Sequence, residues 1–167
     1  KRIVVADDDA AIAKMLVRVL EPDYEVSWAK DGPQAFAQAT AEPPPQLVLL
    51  DVMMPGFDGF GVAQRLQLVP RARRIPILFI TARDAPADIV HGIQVGARGY
   101  IVKPFNVKEL LDKVRKAEYA RLSGKDRRFI KGQQYTLLSN RENLTQEGKH
   151  SLKLLLAANK RLNTAYL

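Results

Sequence analysis

Short apolar, β-branched runs alternate with amphipathic stretches along the first two thirds of the chain. Ile3 to Ala6, Tyr24 to Ala29, Leu47 to Leu50, Ile77 to Thr81 and Gly99 to Val102 read as strands. Between and after them, apolar residues recur at helical spacing. The spacing predicts helices over Ala10 to Leu20 (Ile12, Met15, Leu16, Val19), Pro33 to Thr40 (Ala35, Phe36, Ala39) and Asp58 to Leu68 (Phe60, Val62, Ala63, Leu66). Two more are predicted over Pro86 to Val95 and Val107 to about Leu122. Asp31-Gly32-Pro33, Pro43-Pro44-Pro45, Pro55-Gly56 and Pro70 fall between elements, where chain-breaking residues belong. Five strand–helix units in a row imply an α/β fold with a parallel sheet covered by helices on both faces. The nearly pure apolar runs Leu47 to Leu50 and Ile77 to Ile80 fit strands buried on both sides.

Charge divides the chain. Lys1 to Leu111 holds 13 Lys and Arg against 13 Asp and Glu, and Asp112 to Leu167 holds 13 against 5, which together make the 26 and 18 of the whole. The net charge of +8 therefore sits in the last third, so a boundary is expected near this point, and any polyanion would meet the tail. With no cysteine, a disulfide framework, a thiolate metal site and a cysteine nucleophile are all excluded, in keeping with a reducing cytosol. No apolar run approaches the ~18 residues of a membrane span, and Lys1 to Val5 reads as a strand and not a signal peptide. A soluble, cytoplasmic protein without membrane partners is expected, and the absence of an initiating Met suggests a chain that begins a little inside its gene product.

Among five-stranded parallel arrangements, the doubly wound flavodoxin-like order 2-1-3-4-5 opens its crevice between strands 1 and 3. There the sequence places acids: Asp7 and Asp8 end the first strand and Asp51 ends the third. Asp8 or Asp9 capping the helix at Ala10 explains one acid but not three. Carboxylates ~4 Å apart repel by about 4 kcal/mol at an effective dielectric of ~20, so such a cluster calls for a cation or a proton. Mg2+ suits it, since this ion takes one or two carboxylates, keeps water ligands and accepts phosphate oxygens. No His or Cys stands near these acids to favour zinc. Thr81 after strand 4 and Lys103 after strand 5 would bring a hydroxyl and an ammonium to the same cleft.

The stretches Ile3-Val4-Val5-Ala6-Asp7-Asp8-Asp9, Leu50-Asp51-Val52-Met53-Met54-Pro55-Gly56-Phe57-Asp58-Gly59, Ile80-Thr81-Ala82-Arg83 and Gly96 to Phe105 resemble bacterial two-component response-regulator receiver domains. The resemblance implies that Asp51 accepts a phosphoryl group from a sensor histidine kinase. It implies that Asp8 and Asp51 bind Mg2+ directly, Asp7 through water, and Met53 through its backbone carbonyl. It further implies that Lys103 neutralises phosphoryl oxygens, and that Thr81 turns its hydroxyl to one of them while Tyr100 swings inward behind it. The face of helix 4, strand 5 and helix 5 would change as a result. Such a domain is a phosphoacceptor switch with at most slow self-catalysed transfer and loss of the group. Hydrolases with an aspartyl-phosphate intermediate usually carry a second acid two residues after the nucleophile, where this chain has Met53.

From about Asp112 the sequence is similar to the middle of DDE-class insertion-sequence transposases, through Asp112 to Tyr119, Tyr135 to Leu138, Asn140 to Thr145 and Leu154 to Leu162. The resemblance implies chemistry by three acids around paired metal ions, supplied by flanking parts of such enzymes; Asp126, Glu142 and Glu147 match no catalytic motif, and transposase activity is not expected. The organisation read from these features is a receiver over 1–122, with a fusion seam inside helix 5 near residues 110–112, and a basic, mainly helical tail over 123–167. A helix is expected after Leu144-Thr145, with Leu152, Leu155, Leu156 and Leu162, and Tyr166 beyond, on one face of that helix or of two joined near Asn159. That face would pack on the receiver or mediate a homodimer, as would the face of helix 4, strand 5 and helix 5. A fusion product with no working output and a tail that binds nucleic acid loosely through phosphates are the two readings left open for the tail.

Overall fold

The computed structural model describes residues 1–122. The tail helix and leucine face expected beyond this point lie outside the described residues. Five strands, β1 (Arg2–Ala6), β2 (Glu25–Ala29), β3 (Leu47–Leu50), β4 (Ile77–Thr81) and β5 (Gly99–Val102), alternate with α1 (Ala10–Leu20), α2 (Gly32–Thr40), α3 (Gly59–Leu68), α4 (Pro86–Gln94) and α5 (Val107–Leu122). The sheet is parallel throughout, as the hydrophobic pattern predicts, and its order is β2-β1-β3-β4-β5, that of the flavodoxin-like arrangement expected.

Departures from the expected boundaries are small and have local causes. Tyr24 falls outside β2 because its backbone N–H turns back to the Leu20 carbonyl at the end of α1 (3.0 Å). Asp58 stands just outside α3 as its N-cap, accepting from the Gly61 N–H (2.8 Å). Asp31 caps α2 in the same way at Gln34, which draws Gly32 into the helix ahead of Pro33. Val95 is the C-cap of α4, and the chain leaves through Gly96 at a φ of +94°, a left-handed conformation that favours glycine.

Alternation along the strands divides the core into two layers. Val4, Ala6, Val48, Leu50, Ile77 and Phe79 face α2, α3 and α4, meeting Ala35, Ala39, Phe60, Val62, Leu66 and Ile89. Ile3, Val5, Leu47, Leu49, Leu78, Ile80 and Ile101 face α1 and α5, meeting Leu16, Leu20, Leu110, Val114 and Ala117. The stripe of α5 thus crosses the expected seam without interruption. Just past the stripe, Glu118 pairs with Lys1 (2.6 Å) and accepts from the Tyr24 hydroxyl (2.8 Å), joining α5 to the start of β1 and the turn before β2. That carboxylate and partial burial push the Tyr24 hydroxyl up to about 12, with burial the larger cause.

Leu110 is wholly buried whereas Leu68 is 83% exposed. Leu110→Ala should therefore cost about 2–5 kcal/mol in urea unfolding, and Leu68→Ala within about 0.5 kcal/mol of nothing.

Candidate functional site

Register brings the acids together. Ala6 pairs with Leu50 across the β1–β3 ladder, so the residues that follow each, Asp7 and Asp51, leave adjacent strands at the same level. The Asp51 N–H donates to the Ala6 carbonyl (2.8 Å), and the Asp7 N–H to the Ala29 carbonyl at the end of β2 (3.1 Å). Asp9, not Asp8, is the N-cap of α1, its carboxylate accepting from the Ala11 and Ile12 N–H groups (2.8 and 3.2 Å). The local role thus falls to the third acid, and Asp7, Asp8 and Asp51 remain as a group that can bring one carboxylate oxygen each within 4.8 Å of the others.

Lys103 enters from the end of β5, after its N–H has paired with the Thr81 carbonyl (2.9 Å). Its ammonium donates to Asp7 Oδ2 (2.7 Å) and to Asp51 Oδ2 (2.6 Å). Burial pulls the Lys103 ammonium down, but its bonds to the two carboxylates outweigh this and hold it above its ordinary value. For Asp7 the balance goes the other way. Desolvation raises its carboxyl, and the bonds from Lys103 and the Asp9 N–H only partly offset that. Asp7 is 1% exposed and Asp51 5%, while Asp8 stands open to solvent with no side-chain bond among the described residues.

The donor set fits a hard divalent cation. It offers only carboxylate oxygens, one of the acids is open to solvent, and three carboxylates against one ammonium leave two negative charges uncompensated. Asp8, Asp51 and the water-accessible edge of the cluster are the groups that could hold the ion.

Backbone around Asp51 is shaped by glycine. A Cβ on Gly59 would lie 2.1 Å from the Asp51 carbonyl oxygen, so only glycine lets α3 begin against the end of β3, where the Gly59 N–H donates to the Val52 carbonyl (2.9 Å). The Met53 N–H donates to Asp51 Oδ1 (3.0 Å), and the Met53 side chain is exposed at the mouth. Thr81 is completely buried at the end of β4, its hydroxyl accepting from the Arg83 N–H (3.3 Å). Tyr100 already stands inside, 3% exposed, packed near Phe79 with ring centroids 5.8 Å apart, and its hydroxyl donates to the Arg83 carbonyl (2.9 Å). Arg83 in turn pairs with Asp88 on α4 (2.7 Å). Sequence reasoning missed Arg83 and Asp88 as neighbours of the Thr81–Tyr100 region, and missed Trp28, whose indole N–H donates to the Asp7 carbonyl (2.9 Å). No periodicity or motif carries such contacts.

Residues 3–115 match the family model of the response regulator receiver domain, and residues 102–167 match that of a DDE transposase family. The response regulator PleD of Caulobacter vibrioides is 44% identical over 115 residues, which are 68% of this chain and 25% of that protein. The DNA-binding response regulator MtrA of Mycobacterium tuberculosis is 42% identical over 116 residues, 69% of this chain and 49% of that one. Among solved structures, a CheY-like receiver domain protein from Methanospirillum hungatei superposes with a TM-score of 0.69 at 26% identity, covering 74% of this chain and 98% of the other. The chemotaxis response regulator CheY4 of Vibrio cholerae gives 0.65 at 32%, covering 70% and 97%. A parallel sheet ending in clustered carboxylates, together with these matches, defines a receiver of two-component signalling. The chain belongs to the response regulator receiver domain family, and residues 102–167 carry a transposase-like segment. It spans about a quarter to a half of the length of the curated relatives cited. No helix among the described residues is long and apolar enough to cross a membrane.

Gly59→Ala should displace the end of β3 and cost roughly 2 kcal/mol or more in denaturant unfolding. Gly61→Ala should be tolerated by the same measurement, because its Cβ would first meet the flexible end of Arg65 at 3.1 Å.

Proposed function

We propose that Asp51 is the phosphoacceptor of this receiver, that Mg2+ is its cofactor and that a sensor histidine kinase is its donor. One observation carries the assignment of Asp51: a buried carboxylate at the end of β3 that shares a lysine ammonium with the neighbouring acid of β1. Asp51 would attack phosphorus through a carboxylate oxygen, forming a new P–O bond as the bond from phosphorus to the donor breaks and the donor leaves with that electron pair. Mg2+, when bound, supplies charge neutralisation for the phosphoryl oxygens. Lys103 would move its bond from carboxylate to phosphoryl oxygen, and Thr81 would offer its hydroxyl to another. Asp8 and Asp51, with the Met53 backbone carbonyl, would be the direct ligands. Both oxygens of Asp7 are already engaged, by Lys103 and by the Asp9 N–H, which supports a role for Asp7 through water.

Transmission would pass through Thr81, Arg83 and Tyr100 to the face of α4, β5 and α5, a surface suited to a homodimer. The proposed organisation is a receiver over residues 1–122 and a transposase-like tail over 123–167, the product of a fusion inside α5. The overlap of the two family matches at residues 102–115, which takes in the expected seam at 110–112, supports it. The reaction is that of a switch, with transposition chemistry assigned to neither part, and a cytoplasmic location follows from that role. The tail's excess of basic residues favours a second reading for that segment alone, loose phosphate contact with nucleic acid.

Incubation with acetyl phosphate and Mg2+ should add one phosphoryl group by intact mass. Asp51→Asn should abolish the addition while leaving the far-ultraviolet circular dichroism unchanged; full labelling of that variant would sink the assignment. A chain ending at Leu122 should label at nearly the same rate as the full chain, since Asp7, Asp8, Asp51, Thr81 and Lys103 all precede that point. Sedimentation should show that the shortening changes self-association more than chemistry, and a folded but unlabelled short chain would place the tail within the active domain.

A further inference from the structure

Asp7 is held at every polar atom it has. Its N–H donates to the Ala29 carbonyl (3.1 Å), Oδ1 accepts from the Asp9 N–H (2.9 Å) and Oδ2 from Lys103 (2.7 Å). The fourth atom, its backbone carbonyl, accepts from the indole N–H of Trp28 at 2.9 Å. Three of these partners are backbone groups or the lysine of the site itself. Trp28 is different: it belongs to β2, has no place in the phosphoryl chemistry and is 38% exposed.

The carbonyl that Trp28 grips is the one in the peptide joining Asp7 to Asp8. A peptide is planar, so fixing its oxygen fixes the plane and with it the direction in which the Asp8 Cα leaves. Asp8 has no side-chain bond of its own among the described residues to orient it, and α1 is capped by Asp9 one residue later. The presentation of Asp8 is therefore set by the backbone of the Asp7–Asp8–Asp9 turn, and that backbone is braced by β2. The brace is itself anchored, since the Trp28 carbonyl accepts from Gln38 Nε2 on α2 (2.9 Å).

We propose that Trp28 is a positioning residue for the acidic pocket: its indole N–H, bonded to the Asp7 carbonyl, fixes the Asp7–Asp8 peptide so that Asp8 is presented to a divalent cation. This rests on the reading of Asp7, Asp8 and Asp51 as a Mg2+ pocket. Trp28 acts through the peptide and touches neither the ion nor the phosphoryl group. Because it is the only tryptophan of the chain, it is also a spectroscopic reporter beside the pocket.

The same fact gives a clean test, because replacing tryptophan biosynthetically alters this position alone. The full-length chain is titrated with Mg2+ by calorimetry in four forms: wild type, Trp28→Phe, with 5-fluorotryptophan, which keeps the N–H, and with β-(3-benzothienyl)alanine, which keeps the shape and replaces the N–H by sulfur. The fluoro form should bind like the wild type. Trp28→Phe and the sulfur isostere should both bind roughly fivefold to tenfold more weakly, the loss of about one hydrogen bond. The fluorine resonance of the fluoro form should shift as Mg2+ saturates. Should Trp28→Phe fail to fold, the isostere decides. An isostere that binds Mg2+ as tightly as the wild type, or a fluorine line that stays in place through saturation, overturns the role of Trp28 and leaves the pocket standing. A wild-type chain that takes up no Mg2+ overturns the pocket and the role together.

Discussion

Two carboxylates on neighbouring strands cannot be buried side by side without a counter-charge, and the Lys103 ammonium between Asp7 and Asp51 meets that requirement. The remaining architecture can be understood from it. Parallel strands whose ends lie about 4.8 Å apart bring the two acids within mutual repulsion only if β1 and β3 are adjacent, as they are in the order β2-β1-β3-β4-β5. The lysine starts two strands away from β3, beyond β4, and a long unbranched side chain is what lets it cross that distance. Its charge is held firmly by its partners, while burial leaves Asp7 easier to protonate than an ordinary carboxylate. The cluster is in this way paired but incompletely neutralised, a state that favours a further cation over a closed structural ion pair.

The order of strands and helices was legible because each element carries its own period. Leu47 to Leu50 and Ile77 to Ile80 alternate into two buried faces, and the helices show three- and four-residue apolar spacing against those faces. The acids were legible too, since their positions depend only on which strands end where. Less accessible was the division of labour among three consecutive aspartates: Asp8 and Asp9 are equally good caps by residue type, and only the backbone conformation, in which the Asp9 carboxylate meets the Ala11 and Ile12 N–H groups, gives the cap to Asp9. Contacts made by side-chain reach across elements were invisible. Trp28 to the Asp7 carbonyl, Tyr24 to Glu118 and Tyr100 to the Arg83 carbonyl join residues 21, 94 and 17 positions apart. Nothing in local composition distinguishes these aromatics from others packed in a sheet.

The Tyr100 ring shows how a strand residue serves two layers at once. Its body fills space against Phe79 and close to Gly92, where a Cβ would come within 3.3 Å of the ring, and its hydroxyl reaches the chain just beyond Thr81. Packing and polarity thus both tie β5 to the β4–α4 connection. Arg83 thus stands in contact with both β5, through Tyr100, and α4, through Asp88.

The apolar stripe of α5 has a consequence for how such proteins are remade. A helix laid across a sheet is asked for little beyond one buried residue every turn, and Leu110 and Val114, within the stretch where the two family matches overlap, and Ala117, just past it, answer that demand. A strand at the centre of the sheet is fixed by two neighbours and two faces, but α5 packs its apolar stripe on one side, with the Glu118 tie to Lys1 and Tyr24 just past it. A change of sequence in such an element has above all to preserve phase, as an insertion in a reading frame must preserve the triplet. The sequence of α5 can thus change while Asp7, Asp8, Asp51 and Lys103, which all precede it, stay where the ends of β1, β3 and β5 place them.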